Sequence, residues 1–457
     1  MTIAPQDVTQ EHRGLPPGPR RPRWVLAMQF LRGRHVSVPR WHEAYGDTFI
    51  LRMPPRIGNV VFVAASEDIK KIFAGDPALF HAGEGNVVLK PIMGEHSVLL
   101  IDDDLHVRAR KLLMPAFNGA SLRSYRDLVE TISRREVATW HDGETIMTLD
   151  RMNALTLEII LQVVFGVTDS ERLDQMRPRV TRTVNFASWM LIGFAAPRLA
   201  NKGPWKRYFE NKAELDALLY REIAERRTVT DLADRNDVLS RLLQVGVSTL
   251  RHAQDRPSST DGADDERLTD AELRDQLVTL LLAGHETTAS ALTWTLHELA
   301  MHPDIQRDAI AAADSGDDAF LEACLKEGMR VHPIIDQVAR KLKSDQVIGG
   351  YLVPAGTTAA PSIRLSHARE ANFDDARTYR PRRFLDGEVE PNTWIPFGGG
   401  VRRCIGAGFS LMEGSVILRE ILTHYTVSTD GPSPTKQRNI TSVPADKAPI
   451  RLSRRLG

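Results

Sequence analysis

Apolar residues recur at helical spacing over most of the chain. Residues 155–165 and 212–227 show it clearly, and the longest such pattern runs from residue 269 to 300 and ends before Pro303. Thr269 is followed three residues later by Glu272, a capping-box signature that predicts the start of a helix. A helix of this length is about 45 Å long and would cross a whole domain.

Short segments with alternating or β-branched residues predict strands at 47–52 and 59–64, and strands with turns at 346–353. A further helix is expected at 407–422. We therefore expect a mainly α-helical fold with small β-sheets. Gly328 stands in a helical segment, where it lowers helix propensity by about 1 kcal/mol relative to alanine.

Two segments lack any core-forming pattern. The prolines of Leu15-Pro-Pro-Gly-Pro-Arg20 fix the backbone dihedral φ, so residues 1–20 are expected to form an extended, proline-rich N-terminal segment. Residues 252–267 are polar and rich in Ser, Asp, Pro and Gly, which predicts an exposed loop.

Charge and composition exclude some classes of function. The chain of 457 residues carries 59 basic and 59 acidic residues, so nucleic acid is not expected as its main partner. No stretch approaches the roughly 20 apolar residues of a membrane span. We expect a cytoplasmic protein, with peripheral contact to a membrane left open. The two cysteines allow one disulfide, inert thiols or a single reactive thiol.

Cys404 lies in the segment Phe397-Gly-Gly-Gly-Val-Arg-Arg-Cys-Ile-Gly406, directly before the helix expected at 407–422. Consecutive glycines permit a tight turn or the close approach of a flat group. The helix N-terminus is expected to stabilise a thiolate and lower the pKa of Cys404. A thiolate beside a glycine-lined wall suits haem iron, and a buried structural cysteine is the alternative.

The segment resembles the haem-binding signature F-x-x-G-x-R-x-C-x-G of the cytochrome P450 family at every defining position. Four further segments resemble motifs of this family in the family's order: H-V-R-A-R at 106–110, A-G-H-E-T-T at 283–288, E-G-M-R at 327–330 and P-R-R-F at 381–384. The resemblance covers roughly residues 15–425. It implies the cytochrome P450 fold, a single haem-thiolate domain over residues 1–457 with the long helix above the haem.

The resemblance also assigns site residues. Cys404 is implied as the axial ligand of haem b, and Cys324 has no implied chemistry. The implied contacts to the cofactor, with the cationic members on the propionates, are His106, Arg110, Arg340, Phe397, Gly400, Arg402 and Gly406. Glu327, Arg330 and Arg383 are implied to form a buried ion-pair triad.

Glu286 and Thr287 interrupt an apolar stretch of the long helix. An isolated threonine there would more often donate a hydrogen bond to a carbonyl one turn earlier. The resemblance implies instead that the two side chains hold water and deliver protons to dioxygen. The implied substrate contacts are apolar and predict a lipophilic substrate: Val87, Val88, Leu89, residues 186–197, Ala283, Ile334 and Ile335.

The implied function is a monooxygenase that hydroxylates a lipophilic molecule with one oxygen atom from O2. The chain leaves no room for a flavin or iron–sulfur module, so electrons would come from a ferredoxin or flavodoxin with its NAD(P)H-dependent reductase. Arg108, Lys111 and Arg403 are candidate contacts for that acidic partner. Two alternatives stay open: a peroxide-driven peroxygenase of the same fold, and a non-catalytic haem-binding or ligand-binding protein.

Overall fold

The structure is a computed structural model that describes residues 14–55, 57–166, 170–185, 190, 198, 201–244, 267–387 and 389–455. Residues 14–22 contain no helix or strand, and the carbonyl of Pro17 accepts a hydrogen bond from Ile50 N at 2.9 Å. The loop expected at 252–267 lies outside the described residues except for the exposed Arg267.

Helices dominate the described fold. They are α1 (Arg23–Tyr45), α2 (Ser66–Ala74), α3 (Ala82–Gly85), α4 (Lys90–Met93), α5 (Asp103–Leu113), α6 (Gly119–Val137), α7 (Thr148–Phe165), α8 (Ser170–Val184), α9 (Gly203–Thr228), α10 (Asp270–Met301), α11 (Pro303–Ser315), α12 (Asp318–Val331), α13 (Ile363–His367) and α14 (Ala407–His424).

The strands are short and form small sheets. They are β1 (Thr48–Arg52), β2 (Asn59–Val63), β3 (Phe80–His81), β4 (Thr145–Met147), β5 (Arg340–Leu342), β6 (Gln346–Ile348), β7 (Tyr351–Val353), β8 (Thr358–Pro361), β9 (Tyr425–Ser428), β10 (Thr435–Arg438), β11 (Thr441–Pro444) and β12 (Pro449–Arg454).

The largest sheet has the strand order β1-β2-β8-β5-β3, in which β2 and β8 are parallel with Val60 opposite Thr358. A second sheet has the order β4-β12-β9, and β6-β7 and β10-β11 are separate hairpins. The segment expected to hold strands and turns at 346–353 is the β6-β7 hairpin. Gly349 and Gly350 make its turn with positive φ angles of 59° and 78°, which favour glycine.

The long helix α10 lies at the centre of the main core. The Thr269 side chain accepts a hydrogen bond from Glu272 N, and the Glu272 carboxylate accepts one from Thr269 N, so the capping box is present. Most of its side chains are buried, and it packs against α7, α12 and α14. Within the described residues, no helix is both long and apolar enough to cross a membrane.

Candidate active site

The cysteine-containing loop turns sharply before α14. Cys404 N donates to the carbonyl of Phe397 at 2.9 Å, and Gly398 and Gly400 have φ angles of 66° and 65°. A Cβ atom on Gly399 would collide with the Phe73 ring, and one on Gly400 would collide with the Phe73 carbonyl. The middle glycines therefore permit a tight turn against Phe73. Gly406 differs from them, because a Cβ atom there would meet nothing within 4 Å.

Cys404 as a whole residue is exposed and forms no disulfide. Burial among protein atoms nevertheless raises its pKa, while the Gly406 amide, Arg110 and Arg403 act to lower it. The expected lowering of this pKa is thus wrong: Cys404 stands three residues before α14 begins, and desolvation outweighs the amide and the arginines. A desolvated cysteine sulfur with cations beside it can bind, as a thiolate, a positively charged metal ion within a larger group.

Four cationic or basic side chains lie close to one another beside the cysteine-containing loop. His106 and Arg110 lie on α5, Arg340 on β5 and Arg402 in the cysteine-containing loop. Burial, Arg402 and Arg110 together lower the pKa of His106 to about 4. Burial and Arg402 lower the pKa of Arg340 to about 10. These shifts show that the groups are close enough to repel one another.

One carboxylate partly offsets this positive charge. Asp102 accepts a hydrogen bond from Arg402 Nη2 at 2.5 Å and others from the amides of Gly83 and Glu84 at 2.9 Å. Asp103 also attracts Arg402 electrostatically. Three guanidinium groups, of which Asp102 and Asp103 act on Arg402, leave an excess of positive charge that two propionates would neutralise. The residues present therefore fit a haem group.

Glu286 and Thr287 occupy the middle of α10 and face different surroundings. Glu286 is buried, and its Oε1 accepts a hydrogen bond from Thr441 Oγ1 at 3.0 Å and lies 3.3 Å from Arg438 Nε. Burial raises the pKa of Glu286, although Arg438 and Thr441 act to lower it. This carboxyl group can therefore keep a proton at a higher pH than an exposed glutamate can.

Thr287 is half-buried, and its hydroxyl donates to the carbonyl of Ala283 at 2.6 Å. Ala283, one turn earlier on the same side of α10, is exposed although its neighbours are buried or half-buried. One residue further on, the Thr288 hydroxyl lies 3.1 Å from Ser410 Oγ on α14. That contact brings the middle of α10 close to the helix that follows Cys404.

A cleft of about 670 Å³ reaches the other side of α10. His285 and Arg438 form part of its wall, together with residues of α6, α7 and α8 such as Arg135, Asn153 and Arg177. Arg438 thus contacts Glu286 and also borders this polar cleft. Water in the cleft could reach the immediate neighbour of the buried acid.

The structure brings Glu327, Arg330 and Arg383 together in the interior. Arg330 Nε and Nη2 donate to the two carboxylate oxygens of Glu327 at 2.7 and 2.8 Å, and Arg383 Nε donates to Oε1 at 3.0 Å. All three residues are buried. Arg330 Nη1 also donates to the carbonyls of His367 and Ala376, at 3.0 and 2.6 Å. The cluster therefore links α12 to the chain that leads to the cysteine-containing loop.

The residues expected to contact a substrate differ in accessibility. Val87 and Val88 are exposed, as is Ala283. Ile335 is half-buried and forms an isolated β-bridge with Thr441. Ile334 is buried in the main core, so little of its side chain is free to contact a ligand.

Residues 186–189 and 191–197 of the expected lining lie outside the described residues. Within that stretch, Met190 is buried. The remaining cysteine, Cys324, is fully buried, and burial raises its pKa to about 12. It is an inert thiol at neutral pH.

Sequence reasoning missed four polar residues of this region. Asp102, Arg438 and Thr441 carry no motif, because their partners Arg402 and Glu286 are distant in sequence. Glu413 is fully buried on α14, and neither carboxyl oxygen makes a hydrogen bond of normal geometry. Glu413 is the only charged residue of the segment 407–418, and that isolation was the signal that could have revealed it.

The family comparison agrees with this geometry. Residues 16–452 match the family model described as Cytochrome P450. The chain is 52% identical over 449 residues to a protein of Mycobacterium tuberculosis named "Putative cytochrome P450 135A1", with 97% of each chain covered. It is 38% identical to "Putative cytochrome P450 135B1" of Mycobacterium bovis, with 96% of this chain and 91% of the relative covered.

Solved structures show the same fold. "Retinoic acid bound cyanobacterial CYP120A1" superposes with a TM-score of 0.81 at 21% identity, covering 97% of this chain and all of that one. "Crystal structure of cytochrome P450DA heme domain" also has a TM-score of 0.81, at 23% identity, covering 98% of this chain and 99% of that one. The chain belongs to the cytochrome P450 family, whose members are haem-thiolate monooxygenases. The predicted fold class is confirmed.

Proposed function

We propose that this protein hydroxylates a lipophilic organic substrate, with haem b bound through Cys404 and electrons supplied by a separate protein. The observation that carries the proposal is the adjacent pair of Glu286, buried with a raised pKa, and Thr287, beside the exposed Ala283. A monooxygenase must transfer protons to dioxygen, which calls for an acid and a hydroxyl such as these. A protein that only binds a ligand needs neither Glu286 nor Thr287.

The residues that would bind the cofactor carry charges that complement its own. Cys404 would hold the iron, and the Gly406 amide with Arg110 and Arg403 would favour its thiolate form. His106, Arg110, Arg340 and Arg402 would bind the two propionates, while Phe397, Gly400 and Gly406 would shape the side facing Cys404. When bound, the haem would supply the activation of dioxygen.

Glu286 would hold a proton, and the Oγ1 atom of Thr287 would transfer it. The raised pKa of Glu286 keeps its carboxyl protonated to a higher pH, and Arg438 connects this group to the polar cleft. The Thr287 hydroxyl now donates to Ala283, but a hydroxyl also has lone pairs with which to accept from water. Together the two side chains would carry protons from one side of α10 to the other.

The apolar surfaces of Val87, Val88, Ala283 and Ile335 favour a lipophilic substrate. The proposed electron donor is a ferredoxin or flavodoxin with an NAD(P)H-dependent reductase. Lys111 and Arg403 are exposed and suit an acidic donor, whereas Arg108 already contacts Glu272 at 2.7 Å. The two unpaired cysteines suit the reducing cytoplasm, the location that we infer.

The first test of this proposal is spectroscopic. The ferrous–CO spectrum of the holoprotein should show thiolate ligation, and Cys404→Ser should abolish that signature. Loss of the signature in Cys404→Ser but not in Cys324→Ser would assign the ligand. An unchanged spectrum in Cys404→Ser would contradict the assignment.

A second test separates the three functions. Lipophilic compounds would first be screened for a shift in haem spin state, and each compound that binds would then be incubated with NADPH and a surrogate ferredoxin system, or with hydrogen peroxide alone. Product only with NADPH and O2 supports the monooxygenase. Product with peroxide alone, unchanged in Glu286→Gln, indicates the peroxygenase, and binding without product indicates the ligand-binding protein.

A further inference from the structure

Positive charge is concentrated at the N-terminal end of the described chain. Residues 14–42 contain six arginines and no aspartate or glutamate, although the whole chain has a net charge of zero. Five of these arginines are exposed: Arg20, Arg21, Arg23, Arg32 and Arg40. Within the described part of the chain, none of the five forms an ion pair, so their charge is available to a partner.

Trp24 lies among these arginines, in the first turn of α1, and 68% of its surface is exposed. Further along α1, Arg32, Val36 and Arg40 are also exposed. The helix is kinked at Gly33, and after the kink Val36 and Arg40 share one helix face. We call the five arginines together with Trp24 the N-terminal basic surface.

The fold holds this surface in place. Arg34, the sixth arginine, is buried and donates to Asp336 at 2.8 Å and to the carbonyl of Asn439 at 3.1 Å. Leu26, Ala27 and Val38 are buried with it. The exposed arginines are therefore presented by an anchored helix and the chain that precedes it, and replacing them should not unfold the protein.

Neighbouring elements do not neutralise the charge. Helix α1 packs against β1, β10 and α13, which contribute the cations Arg52, Lys436, Arg438 and Arg364 and no carboxylate. Among the nearby carboxylates, Asp336 is engaged by Arg34 and Arg364, and Asp47 by His42 and Arg369. The exposed Glu43, three residues after Arg40 on α1, offsets only one of the five positive charges.

We propose that the N-terminal basic surface docks the protein on an anionic lipid bilayer. Arginine forks match the geometry of phosphate groups, and tryptophan prefers the level of the lipid headgroups. The same segment exposes the apolar side chains of Leu15, Trp24 and Val36 among its cations, a combination that suits the boundary between lipid headgroups and acyl chains. Docking would place the enzyme where lipophilic compounds concentrate, but the inference does not depend on the proposed function.

The test measures sedimentation of the holoprotein with vesicles of phosphatidylcholine alone or mixed with phosphatidylglycerol. We expect binding only to the anionic vesicles and release by added salt, because salt screens exposed charges. The variant Arg20→Gln/Arg21→Gln/Arg23→Gln should bind about 100-fold more weakly, given the contribution of each basic residue near an anionic surface. Trp24→Ala should weaken binding several-fold and keep the preference for anionic lipid.

A matched control removes the same charge elsewhere. Arg123, Arg134 and Arg221 are exposed on α6 and α9, and the variant Arg123→Gln/Arg134→Gln/Arg221→Gln should bind anionic vesicles as the unmodified protein does. Haem content and thermal unfolding check that every variant is folded.

Three outcomes would overturn the proposal: no binding of the unmodified protein to anionic vesicles at low salt, unchanged binding of the Arg20/Arg21/Arg23 variant, or equal losses in that variant and the control. If the Arg20/Arg21/Arg23 variant instead slows electron transfer from a ferredoxin and binds vesicles normally, the surface docks an acidic protein.

Discussion

Glu286 and Thr287 are adjacent in sequence, yet the helix directs them into different environments. Successive residues of an α-helix are rotated by about 100°, so the acid contacts Arg438 while the alcohol lies with the exposed Ala283. This separation lets one residue hold a proton in a desolvated site and its neighbour present a hydroxyl at an accessible one.

Thr287→Ala should uncouple electron consumption from product formation. The variant removes the hydroxyl and one methyl group of a half-buried side chain, so haem content and spin-state shifts on substrate binding should stay close to those of the unmodified protein. Product formed per NADPH should fall several-fold, and hydrogen peroxide should rise correspondingly, because a positioned proton donor contributes at least about 100-fold to proton transfer.

The control is Thr293→Ala on the same helix. Thr293 makes the same type of hydrogen bond, to Ala289 O at 2.7 Å, but is fully buried. Thr293→Ala should lower the free energy of unfolding without lowering the product formed per NADPH. Tight coupling in Thr287→Ala would contradict the assigned role.

Glu413→Gln should remove a pH-dependent loss of stability. Burial raises the pKa of Glu413 well above its usual value, against a smaller opposing effect of Thr288. The folded state therefore keeps this proton above about pH 4.3, where the unfolded chain releases it, and the contribution of Glu413 to stability falls as pH rises. The difference in free energy of unfolding between Glu413→Gln and the unmodified protein should therefore shift in favour of the variant as pH rises, by at most about 1.4 kcal/mol per pH unit.

Urea unfolding at several pH values between about 5 and 7 would measure this gain, since the pKa of an exposed glutamate lies below that range. The matched control is Glu43→Gln, which makes the same change at an exposed position. A difference for Glu413→Gln that does not change with pH would contradict the raised pKa of its carboxyl group.

At the scale of elements, contacts between helices outweigh helix propensity. Gly328 is unfavourable for α12 taken alone, but a Cβ atom there would overlap Thr295 Oγ1 and lie 3.3 Å from Thr295 Cα on α10. The Thr295 hydroxyl is held by a 2.8 Å hydrogen bond to the carbonyl of Ala291. The missing side chain is thus what allows α12 and α10 to approach so closely.

Gly328→Ala should therefore destabilise the protein by about 1–2 kcal/mol, because overpacking costs more than the gain of about 1 kcal/mol in propensity. Chemical unfolding would measure this difference. Adding Thr295→Ala should recover part of the loss, since it removes the overlapping hydroxyl. A single variant more stable than the unmodified protein would show that the helices can move apart at little cost.

At the scale of the molecule, one buried carboxylate joins three other parts of the chain: α1, α13 and the β10-β11 hairpin. Asp336 accepts hydrogen bonds from Arg34 on α1, Arg364 on α13, Gln437 on β10 and Ser442 on β11, at 2.8, 2.5, 2.9 and 3.2 Å. Burial alone would raise the pKa of Asp336, but Arg364 and Arg34 together hold it below its usual value. Its stabilising effect is present above the pKa of the unfolded chain and is lost as pH falls.

Asp336→Asn should cost about 3–5 kcal/mol, because it leaves buried arginine charge uncompensated. Chemical unfolding gives the loss, and limited proteolysis would report release of α1. The exposed pair of Asp304 and Arg307 gives the control: Asp304→Asn should cost no more than about 1 kcal/mol. Equal losses in the two variants would show that Asp336 does not join these segments.

Local pattern predicted the helices and the cysteine-containing loop well, because helical periodicity, the capping box and the glycine run act within a few residues. The bounds of α10, Asp270–Met301, lie within one residue of the expected pattern, and the motif residues Glu327, Arg330 and Arg383 do converge. The sequence by itself thus determined the family, the elements and the identity of the candidate chemical groups.

Tertiary structure decided the environments of those groups. The contacts of Arg438 and Thr441 with Glu286, of Asp102 with Arg402 and of Gly328 with Thr295 join residues far apart in sequence, and no local pattern encodes such pairs. Burial also reversed the expected direction of the pKa of Cys404, because desolvation depends on all the atoms packed around a group. Only the folded chain determines which groups are desolvated and which atoms exclude water from them.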